Sequence, residues 1–325
     1  MARKPLFDAA QAVTDELVAV LEKGTLPWRR PWRVAGSNVP LRHNGDAYRG
    51  INSFLLSMRT MVQGYSSPYW MTMKQANDLG ARVIKGQKSS IVVYYGTALK
   101  DAQNSKTDET TTDEAGTSIG IRFLKSYRAF NADQIEGLPE RFHPVLKNDD
   151  EPVAKPIELH EKFFDGIGGT VRYGGDRACY VPTLDVINMP HIERFRDPEQ
   201  FYATLGHEYV HYTKVEHRVN RSYGHAQFGN TAYAREELCA EVGAQMLGRH
   251  LGFTPYHIDN SAAYIQSWLS LLGQDKRAIF RAAADAQRAC DWLIDASQKG
   301  KRRAAASPAL RANRAGRGRM PPGPE

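Results

Sequence analysis

DPEQFYATLGHEYVHYTK, residues 197–214, is the stretch on which the reading of this chain turns. Asp197 is a capping residue type, Pro198 suits the first position of a helix, and Gln200 stands three residues after the cap. Phe201, Leu205, Tyr209 and Val210 then recur at helical spacing. Inside that helix lies H-E-x-x-H. His207 and His211, four apart, share a face and can reach one ion, and Glu208 can hold a water that the ion activates. Composition alone yields about 0.02 such matches in a chain of this His and Glu content, so the surroundings have to confirm the motif.

A metal site of this kind needs a third protein ligand and an open position. The next helix, expected over 231–250 with a stop near Gly252, carries REELCAE and so offers Glu236, Glu237 and Glu241. Glu237 and Glu241 are four apart on one face, so one can ligate while the other hydrogen-bonds a ligating histidine from behind. No H-x-x-G-x-x-H continuation follows His211, and His217 and His225 lie in no motif. Two more helices are expected over 261–272 and 276–297. Tyr233, Tyr264 and His257 are candidate donors to a reaction oxyanion.

The amino-terminal part reads differently. A helix over 6–23 stops at Gly24, and the loop TLPWRRPWRVAGSNVP (25–40) follows. Residues 51–64 and 72–80 read as helices, and SIVVYYG and IGIRFLKSYRAFN as strands of β-branched and aromatic residues. Between the strands, about 100–118 is polar and acidic and offers little to bury; it is expected to be an exposed, mobile loop. Proline and charge cluster in HPVLKNDDEPVAKP (143–156), which places the boundary between an amino-terminal domain (1–148) and a second domain (149–297). Residues 298–325 are rich in Arg, Ala, Gly and Pro and are expected to be a disordered basic tail.

The chain's 325 residues allow two domains with cores of their own. The net charge of +7 is unevenly spread. The tail from Lys299 holds eight basic residues and one acidic, and residues 1–100 hold 14 basic against 6 acidic. The two stretches between them, 101–150 and 151–298, are each acidic by four charges. Polyanions are therefore met by the ends. In the first hundred residues the positive charge is interleaved with rings, the pattern a single-strand site uses: rings stack unpaired bases and cations follow phosphates. The candidates are Trp28, Arg29, Arg30, Trp32, Arg33, Tyr48, Arg49, Trp70, Lys74, Lys85 and Lys88. Three scattered cysteines, no apolar run of membrane-spanning length and no apolar stretch behind the first basic residues point to a reducing, cytoplasmic setting.

ATLGHEYVHYTK, YAREELCAEVGAQMLGRHLG and NSAAYIQSWLSLLGQDKRAIFRAAADAQRACDWL together resemble the zincin-type metallopeptidase domain of ArdC antirestriction proteins. ACYVPTLDVINMP resembles the strand edging that domain's cleft. LPWRRPW, YRGIN (48–52) and the run from Tyr69 through WMTMKQANDLGARVIKGQKSSIVVYY resemble the amino-terminal domain of the same family, which also opens some plasmid TraC-type primases. No acidic primase catalytic domain is read in this sequence, so a priming activity is not expected. Where the family reads H-W-T-G-H, this chain reads His211-Tyr212-Thr213-Lys214-Val215.

The resemblance implies an α+β protein of two domains. One binds single-stranded DNA, and the other is a mainly helical, gluzincin-like peptidase with a small sheet. It places the third ligand on Glu237, within Glu237-Leu238-Cys239-Ala240, and the supporting carboxylate on Glu241, with Glu208 as general base. The ion would be Zn2+, with Mn2+ or Co2+ as alternatives. It further implies protection of incoming plasmid DNA during conjugation, with a host restriction component as a protein target and transfer to the recipient cell as an option. Two other readings stand beside it: a pure single-strand-binding protein with a vestigial or self-directed peptidase site, and a free-standing metalloprotease.

Overall fold

The computed structural model describes residues 8–22, 39–99, 120–143, 156–195, 197–223, 231–253 and 261–306. Helix α1 (Ala9–Leu21) begins where the Asp8 carboxylate accepts from the backbone N–H groups of Ala10 and Gln11, and it buries Val13, Leu17 and Leu21 along one stripe. Strand β1 (Leu41–Arg42) leads to α2 (Gly50–Gln63), which stops at Gly64 in a left-handed conformation, φ +72°. Strand β2 (Tyr69–Met71) precedes α3 (Met73–Asp78), opened by a reciprocal cap between Thr72 and Gln75.

Then come β3 (Arg82–Val83), β4 (Ser90–Leu99), β5 (Gly120–Asn131) and β6 (Ile135–Glu136). The sheet order is β1-β2-β5-β4, and β3 pairs with β6 apart from it. The two long strands read from the sequence pair antiparallel, from Ser90↔Ala129 to Leu99↔Gly120. Asn52 closes the outer edge of β4: its Nδ2 donates to Val93 O at 2.7 Å, and Val93 N donates to its Oδ1 at 2.9 Å. A side-chain amide thus replaces a neighbouring strand on an otherwise open edge.

The second half opens with α4 (Pro156–Ile167), which begins at the end of the 143–156 boundary stretch and which the sequence reading did not assign. Its His160, Phe163 and Phe164 are buried. ACYVPTLDVINMP was expected as one strand; it forms two, β8 (Cys179–Val181) and β9 (Val186–Met189), turned at Asp185 with φ +52°. With β7 (Thr170–Tyr173) they form a sheet in the order β7-β9-β8, β7 parallel and β8 antiparallel to β9. Helices α5 (Pro198–Tyr212), α6 (Thr231–Leu251), α7 (Ser261–Gln274) and α8 (Ala278–Ala306) complete the chain.

One expectation needs correction here. Helix α8 runs to Ala306 instead of ending at 297. The reason lies at Gly300, whose helix backbone sits so close to α4 that an added Cβ would collide with Gly166 O. The last helix therefore continues through 298–306, where the sequence read the start of a disordered tail; the rest of that tail lies outside the described residues. The two domains share a large buried cluster, beside two smaller ones that lie within the first domain. One buried cluster joins Val13 and Leu17 of α1, Phe54 of α2 and Val93 of β4 to Trp268, Leu272, Phe280 and Leu293. Thr14 Oγ1 donates to Lys276 O at 2.8 Å, and Gly50 N donates to Gln287 Oε1 at 2.9 Å, across the same contact. All three cysteines are free, as their spacing predicted.

Candidate metal centre and family

The site is built where α5 crosses α6. Asp197 Oδ1 accepts from Gln200 N at 2.8 Å and fixes the start of α5, with Pro198 in its first turn as the sequence predicts. The two helices approach closely because Gly243 has no side chain: an added Cβ would stand 2.8 and 2.9 Å from the methyl carbons of Val210. That approach brings the first half of α6 over the histidine face of α5.

His207 Nε2 and His211 Nε2 lie 3.1 Å apart. Glu237 reaches both, with one oxygen 3.5 Å from His207 Nε2 and the other 3.6 Å from His211 Nε2. Two donors on one tetrahedral ion with bonds of about 2.0–2.1 Å are separated by about 3.4 Å, so the three spacings fit a shared ion. Donor atoms of His207, His211 and Glu237 all lie within 4.8 Å of one another, and all three residues are buried.

The surroundings carry the same implication. Glu208, Glu236, Glu237 and Glu241 are all buried, and Arg221 is the buried cation among them. A buried excess of carboxylate is costly unless cations offset it. In the metal-free chain the imidazoles supply that charge. Burial opposes protonation of His207, but Glu237, Glu241 and Glu208 outweigh it and lift the ring to about 10. His211 is likewise raised by Glu237 and Glu236 against its burial. A divalent cation answers the same field, so the residues present fit the ion that the donor set implies.

Each histidine is backed by a carboxylate. His211 Nδ1 faces Glu236 Oε1 at 2.9 Å, and His207 Nδ1 lies 3.7 Å from Glu241 Oε2. The sequence anticipated Glu241 in this role and assigned none to Glu236. Glu236 is in turn clamped by Arg221, whose Nε and Nη2 donate to its two oxygens at 3.0 and 2.8 Å. Burial would raise the Glu236 carboxyl, but His211 and Arg221 prevail and lower it to about 2. Arg221 also donates to Thr213 Oγ1 and to Val210 O, both at 3.0 Å. It thereby fixes the turn after His211, where the sequence departs from H-W-T-G-H. Nothing in the one-dimensional pattern marks Arg221.

Glu208 points to the sheet. Its Oε2 accepts from the backbone N–H of Tyr180, on edge strand β8, at 2.8 Å. The Tyr180 hydroxyl donates to Asp185 Oδ1 at 2.8 Å. Arg218 joins Asp185, donates to Tyr212 O at 2.7 Å and stacks 3.3 Å over the Tyr212 ring. Tyr233 lies in the first turn of α6 and is half-buried, whereas His257 and the side chain of Tyr264 fall outside the described residues.

The DNA-binding candidates fare unevenly. Trp28, Arg29, Arg30, Trp32 and Arg33 lie outside the described residues. Trp70 is a correction: it is fully buried with Leu56, Val92 and Ala129 and meets Tyr65 edge-on, so it cannot stack a base. Arg49 is exposed but ion-paired with Asp291, tying α2 to α8. Tyr48 is half-buried under the Arg42 guanidinium, and Lys74, Lys85 and Lys88 are exposed.

Residues 7–130 match the family model described as the N-terminal domain of anti-restriction factor ArdC, and residues 158–285 match that of a zincin-like metallopeptidase. The metal-free crystal structure of antirestriction ArdC protein from R388 plasmid is 43% identical. The match covers 90% of this chain and 98% of that one with a TM-score of 0.71. The chain belongs to the ArdC antirestriction family.

Other proteins are also similar to this chain. The Mn(II)-bound structure of the R388 ArdC protein aligns with a TM-score of 0.69. An uncharacterised protein of Sinorhizobium fredii, y4eC, is 34% identical over 88% of this chain and 91% of its own length. DNA primase TraC of Escherichia coli is 36% identical over 91% of this chain, which spans only 28% of that protein. This chain thus joins an ArdC amino-terminal domain to a zincin-like metallopeptidase domain. Among the described residues no helix is long and apolar enough to cross a membrane.

Proposed function

We propose that this ArdC-family chain protects incoming plasmid DNA from restriction during conjugation, acting in the cytoplasm. Its amino-terminal domain binds single-stranded DNA with little sequence preference, and its carboxy-terminal domain, beginning near residue 149, hydrolyses peptide bonds. The observation that carries the enzymatic half is the buried set of His207, His211 and Glu237 with Glu208 beside it.

His207, His211 and Glu237 would hold the ion, Zn2+ foremost, with Mn2+ or Co2+ also suited to imidazole and carboxylate. The ion supplies a Lewis acid and an acidified water. Glu208 accepts the proton of the attacking water and delivers it to the leaving amine. Glu236 and Glu241 keep the two imidazoles oriented, and Arg221 holds Glu236 in place. A host restriction component is the protein target this reading implies.

The basic charge of the first hundred residues supports the DNA half, as do the exposed Lys74, Lys85 and Lys88, with Trp28, Arg29, Arg30, Trp32 and Arg33 as further contacts. Base-specific contacts are not required, because stacking and phosphate contacts tolerate any sequence. Glu208→Gln tests whether hydrolysis serves protection. Loss of protection of a restricted plasmid, with single-strand binding retained, is the expected result; undiminished protection would favour a pure DNA-binding protein.

A further inference from the structure

Strand alternation in the β4–β5 hairpin divides its side chains between two faces. One face carries Ile91 and Val93, both buried in the main core, and Tyr95, which meets Phe280 of α8 edge-on at 6.1 Å. The other carries Val92 and Tyr94, opposite Tyr127 and Lys125 in the register. At its inner end this second face is paved. Val92, Ala129 and Trp70 form a buried floor with Leu56, and Tyr48 and Tyr65 lie half-buried against it.

Beyond the floor the covering stops. Tyr94 is 55% exposed and Tyr127 48%. They are diagonal neighbours across the two strands, a relation that puts side chains about 7–8 Å apart on one surface. Lys125, also exposed, stands directly opposite Tyr94. At the far side of the sheet Arg42 pairs with Trp70, and its guanidinium lies 5.3 Å over the Tyr48 ring. Strands β4 and β5 contain no acidic residue, and of their cations Lys125 lies on this face whereas Arg128, opposite Ile91, lies on the other. Exposed rings side by side on a rigid sheet, edged by cations, are complementary to a polyanion with unpaired, stackable bases.

We propose that this face, centred on Tyr94 and Tyr127, is the stacking platform for single-stranded DNA, with Lys125 and Arg42 meeting the phosphates. The inference rests on the reading that the amino-terminal domain binds single strands; what it adds is the surface. It also gives Trp70 a different role from the one its sequence context suggested: the indole is the floor under the platform.

Anisotropy titration of labelled oligo-dT with the full chain tests the assignment. Tyr94→Ala and Tyr127→Ala should each weaken binding by about tenfold or more while leaving the salt dependence unchanged. Tyr94→Phe and Tyr127→Phe, which keep a ring, should bind as the parent does. Tyr95→Ala, on the opposite face, should also bind as the parent does. Lys125→Ala should reduce the slope of log affinity against log salt by about one phosphate contact. Parent-like affinity in both Tyr→Ala proteins would overturn the platform while leaving single-strand binding intact. A parent protein that fails to bind oligo-dT at about 50 mM salt would overturn the single-strand reading itself, before any substitution is made.

Discussion

The backbone N–H of Tyr180 donates to Glu208 Oε2 at 2.8 Å, tying the proposed general base to the edge strand of the small sheet. The strand is itself held by side chains. The Tyr180 hydroxyl is anchored on Asp185, and Arg218 joins Asp185 to the end of α5. Arg218 is 4% exposed, whereas Asp185 is 43% exposed. The pairing therefore counts more for geometry than for global stability. Arg218→Ala should accelerate hydrogen exchange across Cys179–Val181 by about tenfold or more, because local opening no longer has to break the clamp. Unchanged exchange in that segment would mean that β8 is held by its ladder to β9 alone.

Support behind the histidines has a separable effect. Glu236→Gln keeps the shape that faces His211 Nδ1 but removes the charge, and should weaken metal binding by about 10- to 100-fold in a competitive chelator titration. Arg221→Ala leaves Glu236 buried without its guanidinium and should cost about 3–5 kcal/mol in denaturant unfolding. Equal stability with and without Arg221 would show that the clamp is replaced by solvent.

Helix approach is limited by Gly243. Gly243→Ala puts a methyl against Val210, and relief requires α6 to move away from α5. The expected loss is about 1–3 kcal/mol of stability, with weaker metal retention because Glu237 moves with α6. Val210→Ala in the same chain should restore part of both losses. A double variant no better than the single one would place the strain elsewhere.

His160 supplies a pH signature away from the metal. Burial lowers its pKa below the ordinary 6.5, against a smaller opposing effect from the hydrogen bond to Leu251 O at 3.1 Å. Above about pH 6.5 the imidazole is neutral in both the folded and the unfolded chain, and this stability is fully present. As pH falls below that value the unfolded chain takes up the proton first, so stability is lost down through the lowered native pKa. The unfolding free energy of His160→Gln should therefore decline less steeply between about pH 7 and 5 than that of the parent. Identical slopes would assign the pH dependence to other groups.

Much of this was legible in the sequence, for identifiable reasons. The α5 cap at Asp197, the i, i+4 histidines and the carboxylates of α6 are local patterns, and local patterns survive folding. Helix α4 was missed because it directly follows a proline-rich, charged stretch that resembles a linker. Trp70 was misread because its burial depends on pairing with Asn131 and packing on Leu56, contacts that sequence spacing does not encode. Arg221 and Glu236 meet only once the turn after His211 doubles back, and the end of α8 is decided by its contact with Gly166.

His207, His211 and Glu237 are proposed to hold one divalent ion between them. Elemental analysis of the full chain after equilibration with zinc and removal of free metal tests it most directly. One ion per chain in the parent, and none in His207→Ala of matching secondary structure, is the predicted result. A full equivalent retained by His207→Ala would contradict the assignment.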